Sequence, residues 1–222
     1  MLIPIGDEAS RRRIPFVNYL LIGANVAAFV AYGTRPVAEY EEIVLRHGLI
    51  PESWDWQDAL TSMFLHAGWL HLLGNMLLLW ISGDNIEDRF GHLPYLAFYL
   101  FSGGAAAAAQ VVLAAPEARA LPMIGASGAV AGTIGAYLVL FPRNRIKMLL
   151  YLVFIVHFFR VPAWSLILLW VTLEGLRAWE ETQGTVTPIA VWAHLGGFAF
   201  GAGAALLWRI ARMFRSRDET SA

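Results

Sequence analysis

The sequence predicts an all-α membrane protein with six transmembrane helices, and three observations support this fold class. Apolar residues make up 58% of the 222 residues and gather in long runs, whereas soluble domains are roughly half apolar or a little less. A helix needs about 20 residues to cross a bilayer core, and several runs reach or approach this length. Lysine and arginine are unequally divided between alternate loops, as the positive-inside rule requires of a multi-pass protein.

Six apolar runs supply the predicted spans. They cover residues 15–32, about 69–82, 93–115, about 127–141, 163–179 and 189–208. The first run is followed by no small-residue cleavage site, which predicts a retained helix rather than a signal peptide. A further apolar stretch, residues 146–159, is short, and segments of about 14 residues are more often interfacial or packed than spanning. Both of these possibilities stay open.

Basic residues orient the six spans and divide the chain into segments. With the N-terminus in the cytoplasm, twelve lie inside and four outside. The inner ones are Arg11, Arg12, Arg13, Arg89, Arg143, Arg145, Lys147, Arg160, Arg209, Arg212, Arg215 and Arg217, and the outer ones are Arg35, Arg46, Arg119 and Arg177. A seventh span at residues 146–159 would turn the Arg-rich tail outward, which this rule disfavours. The predicted domains are a cytoplasmic segment 1–14, a membrane domain 15–208 and a cytoplasmic tail 209–222.

Five polar residues share one predicted layer of the membrane domain. His66, His71 and Asn75 lie in H-A-G-W-L-H-L-L-G-N of the second span, Ser127 lies in G-A-S-G of the fourth, and His194 lies in A-H-L-G-G of the sixth. These three spans all run from outside to inside, and each residue lies near the start of its span. Because polar groups in a membrane typically face the bundle interior, we expect the five to converge at similar depth toward the outer leaflet.

This layer holds the residue types that acyl transfer needs. A serine hydroxyl becomes a nucleophile when a base takes its proton, and His194 can be that base for Ser127. His71 and Asn75 are four residues apart on one helix face, and both can donate hydrogen bonds to an oxyanion. The backbone N–H groups at the helix start that holds Ser127 are also free to donate.

Glycines beside the reactive groups predict close packing. Gly125 and Gly128 allow the chain to approach a substrate closely. The segments 128–132 and 197–201 each begin and end with glycine, and such small-x-x-x-small faces let membrane helices approach one another. Contact between these two faces would bring the serine and the histidine into hydrogen-bond range.

Four motifs carry a family resemblance. In this order, H-A-G-W-L-H-L-L-G-N, I-E-D-R-F-G, G-A-S-G and A-H-L-G-G-F resemble the rhomboid family over about residues 15–208. The resemblance implies a six-helix rhomboid fold and an intramembrane serine endopeptidase that cleaves transmembrane proteins. It implies a Ser127–His194 dyad without an acidic third member, an oxyanion hole from His71, Asn75 and the Ser127 N–H, and His66 as a supporting residue.

The resemblance also marks one structural motif and two departures from the family pattern. Glu87 and Gly91 match the structural E-x-x-x-G at the inner end of the second helix. Many members carry a tyrosine four residues after the serine, stacked on the histidine, but here that position is Ala131, so another group must hold the ring. Many members also carry a Trp-Arg pair in the first external loop, residues 33–59, where this chain has Gln57 and Asp58.

Other interpretations stay open. Taken singly, a glycine-flanked serine at a helix start is typical of packing and capping, and His71 with Asn75 could simply join two helices. A catalytically inactive rhomboid relative that binds and escorts membrane proteins is the main alternative, although such relatives typically lack the serine or the histidine. A transporter would show buried ion pairs or matched broken repeats, and neither is evident. Glu174, near the outer end of the fifth span, is expected to reach the surface and to have no catalytic role.

Composition and spacing predict few partners beyond the membrane. The second span lacks H-E-x-x-H, and His66 and His71 are five residues apart, which is poor spacing for zinc, so no metal or cofactor is expected. The net charge of −1 predicts no nucleic-acid partner. The expected partners are transmembrane protein substrates and the lipid bilayer, and the sequence carries no signal for an oligomeric state. The compact core predicts a prokaryotic cell (inner) membrane, cytoplasmic termini and an active site facing the outer side.

Overall fold

A computed structural model of the chain describes residues 1–152, 154–185, 187 and 189–218. Eight α-helices and three β-strands follow one another in these residues. The helices are α1 (Phe16–Ala28), α2 (Val37–His47), α3 (Trp56–Thr61), α4 (Trp69–Phe90), α5 (His92–Leu113), α6 (Ser127–Leu140), α7 (Ala163–Thr182) and α8 (Val191–Asp218). The strands are β1 (Leu2–Asp7), β2 (Arg145–Leu152) and β3 (Ile155–Pro162). A π-helical turn, Phe29–Gly33, continues α1, and 3₁₀ turns lie at Ser62–Phe64 and Pro116–Ala118.

The helices confirm a mainly helical membrane fold. Among the described residues, three helical segments are long and apolar enough to cross a membrane: Phe16–Gly33, His92–Leu113 and Val191–Phe214. A fourth forms if Trp56–Phe64 and Trp69–Phe90, which meet at 94°, are counted as one broken span. Helix α6 is apolar but has only 14 residues. Each predicted span lies on one of α1 and α4–α8, while the count of six spans stays a prediction.

Helix α6 packs most closely against α8, because glycines face each other across the contact. A Cβ atom at Gly197 would lie 2.0 Å from the carbonyl oxygen of Gly128, and one at Gly201 would lie 1.9 Å from that of Gly132. No real side chain fits at such distances, so the two backbones touch. This geometry agrees with the small faces predicted at residues 128–132 and 197–201, and it fixes the position of α8 on α6.

The apolar stretch at residues 146–159 corrects the sequence prediction, because it forms a β-hairpin. Strands β2 and β3 pair antiparallel from Arg145↔Pro162 to Leu152↔Ile155, and β1 joins the other edge of β2. Residues 1–14, predicted only as a cytoplasmic segment, thus supply a strand to a three-stranded sheet. The hairpin is rich in β-branched and aromatic residues, which favour strands, whereas the prediction rested on the length of the apolar run.

The inner end of α4 anchors the start of α1 through one buried carboxylate. Glu87, 1% exposed, accepts the backbone N–H of Val17 at 2.9 Å and of Asn18 at 2.7 Å. These are unpaired N–H groups of the first turn of α1, where the helix dipole also favours negative charge. Gly91 ends α4 at φ +86°, a conformation that glycine adopts without strain. Glu87 and Gly91 thus have the structural role that the resemblance implied.

The remaining differences concern loops and helix ends. The external loop at residues 33–59 contains α2 and part of α3. Gln57 and Asp58 lie in the first turn of α3, where the Asp55 carboxylate accepts both of their backbone N–H groups in a capping box. Helix α8 continues to Asp218, so the predicted tail at 209–222 is helical as far as it is described, and residues 219–222 lie outside the described residues.

Candidate active site

A glycine turn sets up the start of α6. Gly125 has φ +120°, and its N–H donates to the carbonyl oxygen of Ser62 at 2.8 Å. A Cβ at this position would lie 2.7 Å from Cε1 of His71. Both the backbone conformation and the space therefore require glycine here. The turn places Ser127 as the first residue of α6, where its N–H has no acceptor in its own helix.

Ser127 and His194 are within hydrogen-bond distance. The Nε2 atom of His194 lies 2.9 Å from the Ser127 Oγ. His194 is in the first turn of α8, and the close α6–α8 contact brings the starts of the two helices together. The His194 side chain is 15% exposed, so the pair lies below the molecular surface but within reach of water.

Glu174 approaches the other ring nitrogen of His194, which corrects the prediction that it reaches the surface. Its Oε2 atom lies 3.0 Å from His194 Nδ1, its Oε1 accepts from Arg177 Nη1 at 2.6 Å, and the residue is 1% exposed. A carboxylate only accepts hydrogen bonds when ionised, so Nδ1 carries the ring proton and Nε2 is free to accept from the serine hydroxyl.

The sequence did carry a signal for Glu174 that the prediction did not use. Glu174, Ala178 and Glu181 are all buried on α7, and their spacing of four and three residues marks one helix face. An ionisable residue in an apolar helix typically pairs inside the bundle. Position near the end of the helix suggested the surface instead. The resemblance, which implied no acidic third member, gave no reason to look further.

Helix α7 also supplies the group that lies against the His194 ring. Ala131, 1% exposed, has no ring to offer at the position where many family members carry tyrosine. Instead, the Trp170 ring centroid lies 6.0 Å from that of His194, with the planes at 43°. The histidine is therefore held between the Ser127 hydroxyl, the Glu174 carboxylate and the Trp170 indole.

His71 and Asn75 face Ser127 and His194 across a shared cavity. All four line a space of about 870 Å³ between α4, α6 and α8. The Nδ2 atom of Asn75 is buried and has no hydrogen-bond partner among the described residues. His71 Nδ1 accepts from the N–H of Ala67 at 3.4 Å, which leaves its Nε2 as a donor beside Gly125. The α4 side of the cavity therefore carries two N–H donors that are available for a hydrogen bond, one from His71 and one from Asn75.

His66 lies behind this wall. It is fully buried, and its ring meets the His71 ring edge to face, with centroids 5.1 Å apart and planes at 64°. Its carbonyl oxygen accepts from the Tyr40 hydroxyl at 2.7 Å. His66 is not among the cavity-lining residues, so its contact with the site runs through His71. Gly128 is also set back, because a Cβ there would lie 2.4 Å from that of Ala106 on α5.

Comparison with known proteins shows which family the chain belongs to. A model of the Rhomboid domain matches residues 53–211, more than half of the chain. The chain belongs to the rhomboid family. It is 32% identical to rhomboid protease GluP of Bacillus subtilis over 141 residues, 61% of this chain and 26% of that protein. It is 29% identical to mitochondrial rhomboid protein 1 of Saccharomyces cerevisiae over 191 residues, 82% of this chain and 50% of that protein.

A third relative is the mitochondrial presenilin-associated rhomboid-like protein of Bos taurus, 27% identical over 155 residues, 68% of this chain and 39% of that protein. This rhomboid therefore spans between about a quarter and a half of the length of these relatives. The family assignment confirms the resemblance read from the motifs, and with the helices described above it makes the chain a membrane protein.

Proposed function

We propose that this rhomboid is an intramembrane serine endopeptidase that cleaves transmembrane protein substrates. The observation that carries the proposal is the 2.9 Å contact between Ser127 Oγ and His194 Nε2. It lies in a cavity whose opposite wall offers the N–H donors of His71 and Asn75. Serine proteases combine a serine, its base and oxyanion donors in this way on unrelated folds.

The proposed reaction follows from the two ring nitrogens. His194 Nε2 takes the hydroxyl proton as Ser127 Oγ attacks the scissile carbonyl carbon. The resulting oxyanion is bound by the His71 and Asn75 side chains and by the Ser127 N–H. The tetrahedral species collapses as the imidazolium gives its proton to the leaving amine. Water then repeats the sequence on the acyl-enzyme, freeing the second product and restoring the serine.

Membrane placement is part of the same proposal. The charge distribution favours cytoplasmic termini, which puts the starts of α4, α6 and α8 near the outer side. The substrate bond is then cleaved near the outer end of a substrate helix, and the family resemblance suggests sideways entry past α7. A prokaryotic cell membrane remains the proposed location.

The deciding experiment is cleavage of a model transmembrane substrate by purified protein in lipid vesicles. The wild-type protein is expected to cut, and Ser127→Ala and His194→Ala are each expected to abolish cutting. A fluorophosphonate probe is expected to label the wild-type serine and not Ser127→Ala. Binding of the substrate without cleavage by the wild-type protein would favour the escort function instead. Equal cleavage by Ser127→Ala would overturn the protease assignment.

A further inference from the structure

We propose that Glu174 acts on the reaction as a positioning residue, so that this rhomboid works with a Ser127–His194–Glu174 triad rather than with a dyad alone. The carboxylate touches neither substrate nor the serine. It holds the Nδ1 proton of His194, keeps Nε2 free as the base, and offsets the positive charge that the ring gains when it takes the serine proton. Glu174 itself exchanges no proton, as in other serine proteases with an acidic third member.

Two contacts fix the carboxylate in the required orientation. Oε2 faces His194 Nδ1 at 3.0 Å, while Oε1 accepts from Arg177 Nη1 at 2.6 Å. The Glu174 side chain is 2% exposed and that of Arg177 is 41% exposed, so the pair reaches from the site toward the surface. A buried carboxylate is retained at a cost unless it is paired, and here both of its oxygens are used.

A second buried carboxylate on α7 has a purely structural hydrogen bond and can be compared with Glu174. Glu181 is 2% exposed, and its Oε1 accepts the backbone N–H of Ala115 at 3.1 Å. That bond joins α7 to the end of α5. Glu181 also lines the cavity, but among the described residues it makes no hydrogen bond to His194. Glu174 differs, because its partner in the bundle is the imidazole beside Ser127.

Glu174 lies on α7, a helix that buries only a few of its residues. The buried residues of α7 are Ala163, Glu174, Ala178 and Glu181, while large apolar side chains elsewhere on it, such as Leu169 and Trp179, are more than half exposed. The Glu174–His194 contact therefore links the orientation of the base to the seating of α7 on α8. Withdrawal of α7 would remove both the carboxylate and the Trp170 ring from His194.

Replacement of Glu174 by glutamine distinguishes a positioning role in the reaction from a purely structural role. Because Arg177 donates to Oε1, the glutamine oxygen should stay with Arg177 and its NH₂ group should face Nδ1. The ring would then carry its proton on Nε2 and could not accept one from Ser127. We expect Glu174→Gln to lower kcat about 10²–10⁴-fold, and Glu174→Ala to lower it less. A structural role predicts the reverse order, since glutamine preserves the shape.

Adding Arg177→Met to Glu174→Gln should recover part of the lost rate, because the freed amide can turn its oxygen toward Nδ1. The double variant and the two single variants form a cycle in purified protein with the model substrate. Unchanged kcat in Glu174→Gln, or no recovery in the double variant, would overturn the proposed triad. If Glu174→Gln does not fold, the fluorophosphonate labelling rate of Arg177→Met alone is measured instead. The proposed triad predicts that this rate falls, and a structural role of Glu174 leaves it unchanged.

A second carboxylate on α7 supplies a matched control. Glu181 is buried like Glu174, but its partner is the backbone N–H of Ala115 rather than the His194 ring. Glu181→Gln should therefore keep kcat close to the wild-type value in the same assay. A loss of kcat as large as that of Glu174→Gln would overturn the proposed triad.

This inference rests on the proposed proteolytic function, and different experimental results would contradict each of the two proposals. If the wild-type protein does not cleave, or if Ser127→Ala cleaves equally, the protease assignment falls. If the wild-type protein cleaves with Ser127 while Glu174→Gln keeps the wild-type kcat, only the proposed triad falls and a dyad remains.

Discussion

At the scale of residues, Asn75 offers a buried N–H donor with no partner among the described residues. Its removal therefore breaks no hydrogen bond of that donor in the resting protein, while the oxyanion loses one. We expect Asn75→Ala to lower kcat about 10²–10³-fold with little change in thermal stability. Cleavage rates and melting temperatures of the purified variant would check this.

The matched control is Asn25→Ala on α1, where Nδ2 donates to the carbonyl oxygen of Leu21. It also removes a fully buried amide, but one outside the cavity, so kcat should stay at the wild-type value. A normal rate in Asn75→Ala would mean that the oxyanion is bound by other groups.

The residues of the site differ in how far the sequence could reveal them. Ser127, His194, His71 and Asn75 could be assembled because three spans of equal direction bring them to one depth, and the structure places all four on one cavity. Glu174 was missed because its position near the end of the fifth span suggested the surface, although its helical spacing to other buried residues marks one buried face of α7. Position near a helix end does not tell whether a carboxylate turns inward or outward.

At the scale of elements, the α6–α8 contact determines whether Ser127 and His194 meet. A Cβ at Gly201 would lie 1.9 Å from the backbone oxygen of Gly132, whereas one at Gly203, on the same helix, would have no atom within 4 Å. We expect Gly201→Ala to push α8 from α6, lowering both the melting temperature and the labelling of Ser127. Gly203→Ala should change neither, or raise stability by up to about 1 kcal/mol through helix propensity.

The two alanine variants differ only in which face of α8 receives a methyl group. Thermal unfolding and fluorophosphonate labelling of both variants in the same vesicles would give the comparison. Equal behaviour of the two would contradict the close backbone contact and would leave the nearness of His194 to Ser127 without its structural cause.

The three-stranded sheet is the element that was not predicted from the sequence. Residues 2 and 150 pair although they are far apart in the chain. The local pattern of apolar residues in a strand does not reveal a partner so distant in sequence. Strand residues of β2 and β3 are apolar in runs, and such runs do not distinguish a strand from a short buried helix. By contrast, the long helices were predictable because their apolar length alone sets them apart, although their ends extend beyond the apolar core.

At the scale of the whole molecule, the direction of insertion decides which side the cavity faces. Lysine and arginine lie mainly on the side of the two termini, so a reporter that works only in the cytoplasm should be active when fused after Ala222. A reporter placed in the loop at residues 33–59 should be inactive. Activity in the reverse pattern would turn the cavity toward the cytoplasm and would overturn the proposed orientation.

Under the proposed function, the depth of the Ser127–His194 pair in the membrane determines which substrate bonds can be cut. An intact helix in a membrane keeps its carbonyl groups in internal hydrogen bonds, so a scissile bond becomes accessible only where the helix loosens. The Ser127–His194 pair lies at the helix starts of α6 and α8, while Glu87 marks the opposite end of α4. A glycine pair introduced near the outer end of a resistant substrate helix should therefore create a cleavage site at a small residue there.

The same glycine pair placed near the inner end of that helix should leave it resistant, although it loosens the helix equally. Mass spectrometry of the products from both substrates, with Ser127→Ala beside the wild-type protein, would locate each cut. Cleavage at both depths would contradict the depth of the site. Cleavage at the outer end alone would tie the position of the Ser127–His194 pair in the fold to the choice of bond in the substrate.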